Sequence, residues 1–219
     1  MSQKIQMSDS YGIGALLALA GGFLDAYTYL CRGGVFANAQ TGNIVLFGVK
    51  LAELQWAAAL EYLLPIFAFF IGIFFAEMIK RRFREQTGVH WRQIILAVEI
   101  LILLLVAWLP QSRDMLANTL VSFICSIQVE GFRKVHGNPY ATTMCTGNLR
   151  SATEQLYLYR LSHDRSQLKR SLEYYGIILF FVLGAALGAL FCYWLGLRAV
   201  LLPCLFLGAA FVLMFRRSA

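Results

Sequence analysis

Charged side chains are scarce in this chain, since Asp, Glu, Lys and Arg make up 14% of its 219 residues while hydrophobic residues make up 59%. A soluble domain carries about 25% charged residues, so this chain has too few to cover a water-exposed surface. Several apolar runs approach the ~20 residues that a helix needs to cross about 30 Å of hydrocarbon. The composition therefore predicts an integral membrane protein whose main contact is the lipid bilayer.

Recognisable patterns of metal-ligating or catalytic residues are also missing from the sequence. The five cysteines show no paired spacing, and the three histidines have no ligand-type residue four positions away. The chain has no Ser/His/Asp arrangement and no glycine-rich phosphate motif. We therefore expect no metal, no cofactor and no enzymatic activity.

One short motif occurs twice, because the triplet Thr41-Gly42-Asn43 returns 105 residues later as Thr146-Gly147-Asn148. At the same offset Asp25 aligns with Glu130. A lone Gly-Asn pair usually marks a turn, but its recurrence beside an acid at the same distance indicates a duplication. We therefore divide the single membrane domain into a first half, residues 1–110, and a second half, residues 111–219. A second register, offset by 112, aligns Leu60-Glu61-Tyr62 with Leu172-Glu173-Tyr174 and Gly72 with Gly184.

Each half predicts four helices in the same order, and the second of the four is short. Thr41 and Thr146 are placed to cap the two short helices. Small residues and glycines before each cap predict irregular backbone. The predicted helices are 11–31, 42–54, 60–79 and 93–109 in the first half, and 115–133, 147–160, 172–195 and 198–215 in the second.

The basic residues distinguish two arrangements of these helices. If the short helices do not cross the bilayer, each half has three spans and the halves are inverted; if they cross, the halves are parallel. The inverted arrangement puts 15 of the 19 Lys and Arg residues on the inner side and leaves Arg32, Lys50, Arg113 and Arg198 outside. We therefore predict an all-α polytopic protein with six transmembrane helices, two short non-spanning helices, inverted repeats and both termini cytoplasmic. This accounts for the net charge of +7 without a nucleic-acid partner.

The two Thr-Gly-Asn triplets are the predicted solute site. They would bring two helix N-termini, with unpaired N–H groups and positive dipole ends, to the middle of the membrane. Such ends bind anions and polar oxygens. Alternatively the triplets cap their helices and contact each other, which is compatible with a solute site. The predicted substrate-binding residues are Thr41, Gly42, Asn43, Thr146, Gly147, Asn148, Gln40 and Gln128.

Four charged residues inside predicted spans are candidates for proton or charge coupling. An acid such as Asp at a helix centre costs roughly 2.5 to 3.5 kcal/mol on insertion scales, so Asp25 and Glu130 should face the interior. Their alternative role is to hydrogen-bond the irregular loops. Arg133, three residues after Glu130, falls on the same helix face and could neutralise it. Glu99 is centred in an apolar helix, and its aligned position is Cys204.

Several of these segments resemble the YoaK family of bacterial inner-membrane proteins, a family of unknown function. The resemblance lies in Gly21-Gly22-Phe23-Leu24-Asp25-Ala26, in both Thr-Gly-Asn segments and in Phe132-Arg133. It implies a small polytopic protein of the bacterial inner membrane and no particular solute. The helix plan is also similar in outline to aquaporin-type channels, although Asn-Pro-Ala triplets are absent.

Taken together, the sequence predicts a transporter or channel for a small polar or anionic solute. In one form of this prediction, solute movement is coupled to protons. The alternative is a non-transporting membrane scaffold or assembly factor. Small residues such as Gly184 and Gly188 permit close helix contact, so they could form the interface of a homodimer.

Overall fold

The computed structural model describes residues 7–83, 90–136 and 138–215. Within them it contains eight α-helices and one short antiparallel strand pair, Lys134–Val135 with Asn138–Pro139. Three 3₁₀ turns, Met7–Asp9, Gln111–Arg113 and Gly196–Leu201, precede α1, α5 and α8. The helices are α1 Tyr11–Cys31, α2 Gln40–Ala52, α3 Trp56–Phe83, α4 Trp91–Val106, α5 Asp114–Gly131, α6 Cys145–Ser162, α7 Arg165–Leu195 and α8 Pro203–Leu213.

The order of helices agrees with the sequence prediction, and α1 has the predicted bounds. The prediction that Thr41 and Thr146 cap the short helices is wrong. Helices α2 and α6 begin one residue before these threonines, and the cap positions Ala39 and Met144 make no side-chain cap bond. The threonines therefore lie in the first turn of α2 and of α6. Other side chains, described below, hold the loops that precede these helices.

The polar run between α6 and α7 is a tight turn rather than a loop. His163 ends α6 in the left-handed conformation, with φ of 54°. Asp164 then caps α7, since its Oδ1 accepts a hydrogen bond of 2.9 Å from the Ser166 amide. As a result α7 begins seven residues before the predicted position 172.

The two halves of the chain exchange their first helices. Helix α1 packs along α7 and α8 of the second half, whereas α5 packs along α3 and α4 of the first. The short helices stay with their own neighbours, α2 on α3 and α6 on α7. The result is two bundles, which we call bundle A (α1, α6, α7, α8) and bundle B (α2, α3, α4, α5).

Glycines allow the closest approach in both bundles. A Cβ at Gly184 of α7 would overlap the Leu19 carbonyl oxygen of α1, and a Cβ at Gly72 of α3 would overlap the Ser126 side chain of α5. The two glycines are the aligned pair of the duplication, so the repeat preserves one packing contact. Gly188 also packs on α1, where a Cβ would lie 2.8 Å from the Phe23 carbonyl oxygen. The Gly184 and Gly188 face is therefore used within the chain and is not free to pair with a second one, while a homodimer as such stays a prediction.

Helices α1 and α5, the first of each half, run in opposite directions. Arg32, directly after α1, contacts Asp114 at the start of α5, with 2.9 Å between Nη1 and Oδ1. At the other end the His136 amide, beyond α5, donates to the Asp9 carbonyl oxygen ahead of α1 at 2.7 Å. Each helix therefore ends where the other begins.

Three helical segments in the described part are long and apolar enough to span a membrane: Tyr11–Cys31, Trp56–Phe83 and Arg165–Leu201. Helices α4, α5 and α8 are shorter or more polar, with 16, 18 and 11 residues. Large apolar side chains such as Phe70 and Phe74 on α3 and Leu179 and Val182 on α7 are exposed. A protein surrounded by lipid carries apolar side chains on its outside in this way.

The glycine contact predicts that Gly184→Ala will destabilise the protein. The new methyl group meets backbone of α1, which cannot move aside as a flexible side chain could, and overpacking of this kind costs about 1 to 3 kcal/mol. Melting of the purified protein in detergent measures the effect. Gly208→Ala is the matched control, because a Cβ there has no atom within 4 Å and alanine favours a helix. Equal melting temperatures for Gly184→Ala and wild type would contradict the packing argument.

Candidate functional site

Asn43 and Asn148 close the loops before α2 and α6 with the same hydrogen bonds. Asn43 Oδ1 accepts from the Phe36 amide at 3.2 Å, and its Nδ2 donates to the Phe36 carbonyl oxygen at 2.7 Å. Asn148 bonds the amide and carbonyl of Ala141 at the same two distances. Both side chains are buried. The asparagines of the two triplets therefore hold loop backbone, and this role explains why the triplet recurs.

A cavity of about 610 Å³ lies between the starts of α2 and α6. Bundle A contributes Asp25 of α1 and Phe181 of α7 to its lining, and bundle B contributes Phe69 of α3. Phe69 and Phe181 are aligned in the duplication and lie near the midpoints of the long helices α3 and α7. The cavity therefore sits between the bundles at about half the length of the spanning helices.

Asp25 anchors the loop ahead of α2. Its Oδ1 accepts a hydrogen bond of 2.7 Å from the Asn38 amide, and the amides of Ala37 and Ala39 also interact with the carboxyl group. The side chain is buried but reaches the cavity lining. The structural role expected as an alternative for this acid is thus present, alongside a position at the cavity.

Asn38 and Thr143 line the cavity, and each has a buried polar atom without a partner in the described residues. They are aligned at the offset of 105, and both line the cavity. Asn38 Oδ1 and Thr143 Oγ1 are buried and have no hydrogen-bond partner in the described part of the chain. Both residues meet Gly21 of α1: Asn38 Nδ2 donates to its carbonyl oxygen at 3.2 Å, and a Cβ there would overlap the Thr143 methyl group. Sequence reasoning did not select this pair, although the alignment of two polar residues beside each triplet was a signal for it.

The other predicted solute-binding residues divide into two groups. Gln40, Thr41, Thr146 and Gly147 line the cavity. Gly42 packs instead against the Phe36 ring, and Gln128 lies away from the cavity lining in the described residues. Gln128 Nε2 donates to Thr142 Oγ1 at 3.1 Å, so it supports the loop before α6. The Gln40 side chain is also engaged, donating to the Ala37 carbonyl oxygen at 2.8 Å.

The structure does not bring the aligned acids Asp25 and Glu130 together. Glu130 lies near the end of α5, where its Oε1 contacts Arg133 Nη1 at 3.0 Å. The expected Glu130–Arg133 contact therefore forms, but neither residue is part of the cavity lining. Glu99 is only 1% exposed, and its Oε1 has no hydrogen-bond partner in the described residues. Glu99 is not part of the described cavity lining.

Cys145 is the first residue of α6 and lines the cavity. Its thiol has no histidine, Lys or Arg beside it in the described lining, whereas reactive cysteines are activated by such a neighbour.

Arg32 joins three helices at one end of the molecule. Its side chain is fully buried. Besides contacting Asp114, its Nη2 donates to the carbonyl oxygens of Val106 and Leu109, each at 3.0 Å. It therefore satisfies the last carbonyls of α4 while holding the start of α5. In the sequence Arg32 appears only as one of the few basic residues outside the membrane, because its partners on α4, on α5 and between them are more than 70 residues away.

Comparison with known proteins places this arrangement in a family. The profile described as "Protein of unknown function (DUF1275)" matches residues 13–213. The chain belongs to this family. It is also 27% identical over 146 residues to UPF0700 transmembrane protein YoaK of Bacillus subtilis (strain 168). That alignment spans 65% of this chain and 65% of the relative, just under two thirds of each. No solved structure matches the chain.

The resemblance to YoaK drawn from the sequence is therefore confirmed. The family match and the apolar helices together make the chain a membrane protein of an uncharacterised transmembrane family. The names of the family and of the relative assign no solute and no reaction, so any activity has to be argued from the cavity.

The loop geometry predicts that Asn43→Asp and Asn148→Asp will each destabilise the protein. Aspartate keeps an acceptor for the loop amide but loses the donor to the loop carbonyl, and a buried polar group without a partner costs about 1 to 3 kcal/mol. Melting in detergent measures the loss. Gln111→Glu makes the same amide-to-acid change at an exposed position and should have little effect. If both Asn variants melt like wild type, the loops do not depend on these bonds.

Proposed function

We propose that this protein carries a small polar solute across the membrane through the cavity between its two Thr-Gly-Asn segments. The observation that carries the proposal is the cavity itself, at which two helix starts and the buried Asp25, Asn38 and Thr143 converge. Irregular backbone at membrane depth is tolerated only where it is buried in protein or lines a water-filled space. A hydrated cavity between two bundles is the arrangement in which transporters hold their solutes.

The proposed topology has six spans and inverted halves in the bacterial inner membrane. The spans are α1, α3, α4, α5, α7 and α8, and the short helices α2 and α6 enter from opposite sides. The opposite directions of α1 and α5 support this plan, as does the excess of basic residues on the side that would face the cytoplasm. Both termini then lie in the cytoplasm. Relative motion of bundles A and B would open the cavity to either side.

The charged residues have different places in this proposal. Asp25 lines the cavity and Glu99 is a buried acid of α4, and we propose that these two acids couple solute movement to protons. Glu130 and Arg133 form a charge pair near the end of α5, away from the solute. We infer transport rather than catalysis, since no histidine, Lys or Arg in the described lining stands beside the Cys145 thiol to activate it.

The topology makes a prediction about two positions that follow equivalent short helices, Glu53 and Ser166. Single cysteines placed there in a cysteine-free background should react with an impermeant reagent from opposite sides of the membrane, because inverted halves place them on opposite surfaces. Labelling in intact cells, compared with labelling in inverted vesicles, makes the measurement. Labelling of both positions from the same side would mean parallel halves and would remove the basis for a shared cavity.

The route through the cavity predicts that Gly147→Phe will block transport. Gly147 lines the cavity with open space at its Cβ, so a phenyl group enters the cavity without displacing backbone. Solute flux into liposomes should fall about tenfold or more, which is about 1.4 kcal/mol in barrier height. Gly48→Phe is the matched control: its Cβ also meets open space, but it lies away from the described lining.

Equal flux through the two phenylalanine variants would exclude this cavity as the route. Absence of flux for every solute tested with wild-type protein, together with a partner that co-purifies in fixed ratio, would favour a membrane scaffold instead.

A further inference from the structure

The unpartnered polar groups give the cavity one side that accepts hydrogen bonds. Asn38 is 4% exposed and Asp25 is 7% exposed. Asn38 Oδ1 has no hydrogen-bond partner in the described residues. The backbone N–H of Asn38 donates to Asp25 Oδ1 at 2.7 Å. A carboxylate and an amide oxygen thus lie together at the cavity. This side is suited to a group that donates several hydrogen bonds and carries positive charge.

Other groups that line the cavity donate hydrogen bonds, and they lie at the start of α6. In the described chain the backbone N–H groups of Cys145, Thr146 and Gly147 have no acceptor. The preceding Thr143 is 6% exposed and brings its unpartnered hydroxyl to the same place. These free amides form the positive end of an 18-residue helix, which favours a carboxylate or another anion.

The start of α2 differs from the start of α6, so the two helix ends are not equivalent. The Gln40 amide donates to the Asn38 carbonyl oxygen at 2.8 Å, and the Gly42 amide donates to that of Ala39 at 2.9 Å. Two of the first three amides of α2 are therefore already bonded. The duplicated motif thus offers a strong donor site from one half only.

The charged residues of the cavity lining restrict the class of solute further. The described lining contains one carboxyl group and no Lys or Arg. A simple anion at α6 would lie in the field of Asp25 without a basic side chain to offset it. A simple cation at Asp25 would leave the α6 amides unpaired. A molecule with an ammonium group at one end and a carboxylate at the other satisfies both sides.

We propose that the cavity binds a small zwitterion of the amino-acid class. Its ammonium group contacts Asp25 and Asn38 Oδ1, and its carboxylate contacts the Thr143 hydroxyl and the free amides of α6. Phe69 and Phe181 provide an apolar wall for the side chain, and the 610 Å³ of the cavity are ample for such a molecule. This inference rests on the proposed transport function and names its substrate class.

The test uses the purified full-length protein and a panel of L-amino acids. Melting shifts in detergent report binding, and uptake into proteoliposomes reports transport. For L-alanine the matched probes are propionate, which lacks the ammonium group, and ethylammonium, which lacks the carboxylate. The same pair of analogues is made for the amino acid that binds best. We expect each analogue to bind at least about 100-fold more weakly, because it leaves buried polar groups unpaired.

Thr143→Val tests the carboxylate side without removing an internal hydrogen bond. The hydroxyl has no partner in the described residues, so the variant should fold, and it should bind the amino acid about tenfold more weakly. Thr153→Val makes the same change on the exposed face of α6 and should leave binding unchanged.

Two results would overturn the zwitterion inference: an analogue that binds as tightly as its amino acid, or no response to any amino acid in either assay. If other polar solutes are still transported and Gly147→Phe still blocks them, the proposed function stands without this substrate class. If nothing is transported, the proposed function fails as well.

Discussion

The constraint on which the structure depends is that irregular backbone at about half the length of the long apolar helices must have its polar groups paired. Water can satisfy such groups in a surface loop, but in hydrocarbon each one costs several kcal/mol. Asn43 and Asn148 meet this constraint by bonding both the amide and the carbonyl of a residue seven positions earlier. Each loop is thereby closed, and α2 and α6 can begin at the middle of the molecule.

The packing of the long helices then places these two loops opposite each other. Because α1 and α5 are exchanged between the halves, each bundle contains helices from both halves, and the connections before α2 and α6 cross between bundles. Gly72 and Gly184 allow this exchange by bringing the first helix of one half against the third helix of the other. Arg32 secures one end, where it binds the last carbonyls of α4 and contacts Asp114. The bundles, rather than the sequence halves, are therefore the packing units of the structure.

The two aligned segments share the contacts that hold their loops and helices, but they differ in the polar residues beside those contacts. The asparagine bonds are the same in both halves, and the aligned glycines each pack on the first helix of the other half, whereas the residues beside them differ. The first loop is held by the carboxylate of Asp25, and the second is supported by Gln128 through Thr142. Asn38 stands where the second half has Thr143. The two loops therefore bring different polar residues to one cavity.

The sequence by itself determined the class of the protein, its repeat and the bounds of α1. These follow from local or periodic features: hydrocarbon demands long apolar runs, and a duplicated loop needs the same asparagine at the same spacing. Only the tertiary structure decided which polar residues meet. In the folded chain Glu130 lies apart from Asp25, and Arg32 is buried against carbonyl groups that are distant in sequence. Asn38 and Thr143 both contact Gly21 of α1. Such contacts depend on how helices far apart in the chain pack together, and neither composition nor spacing contains that information.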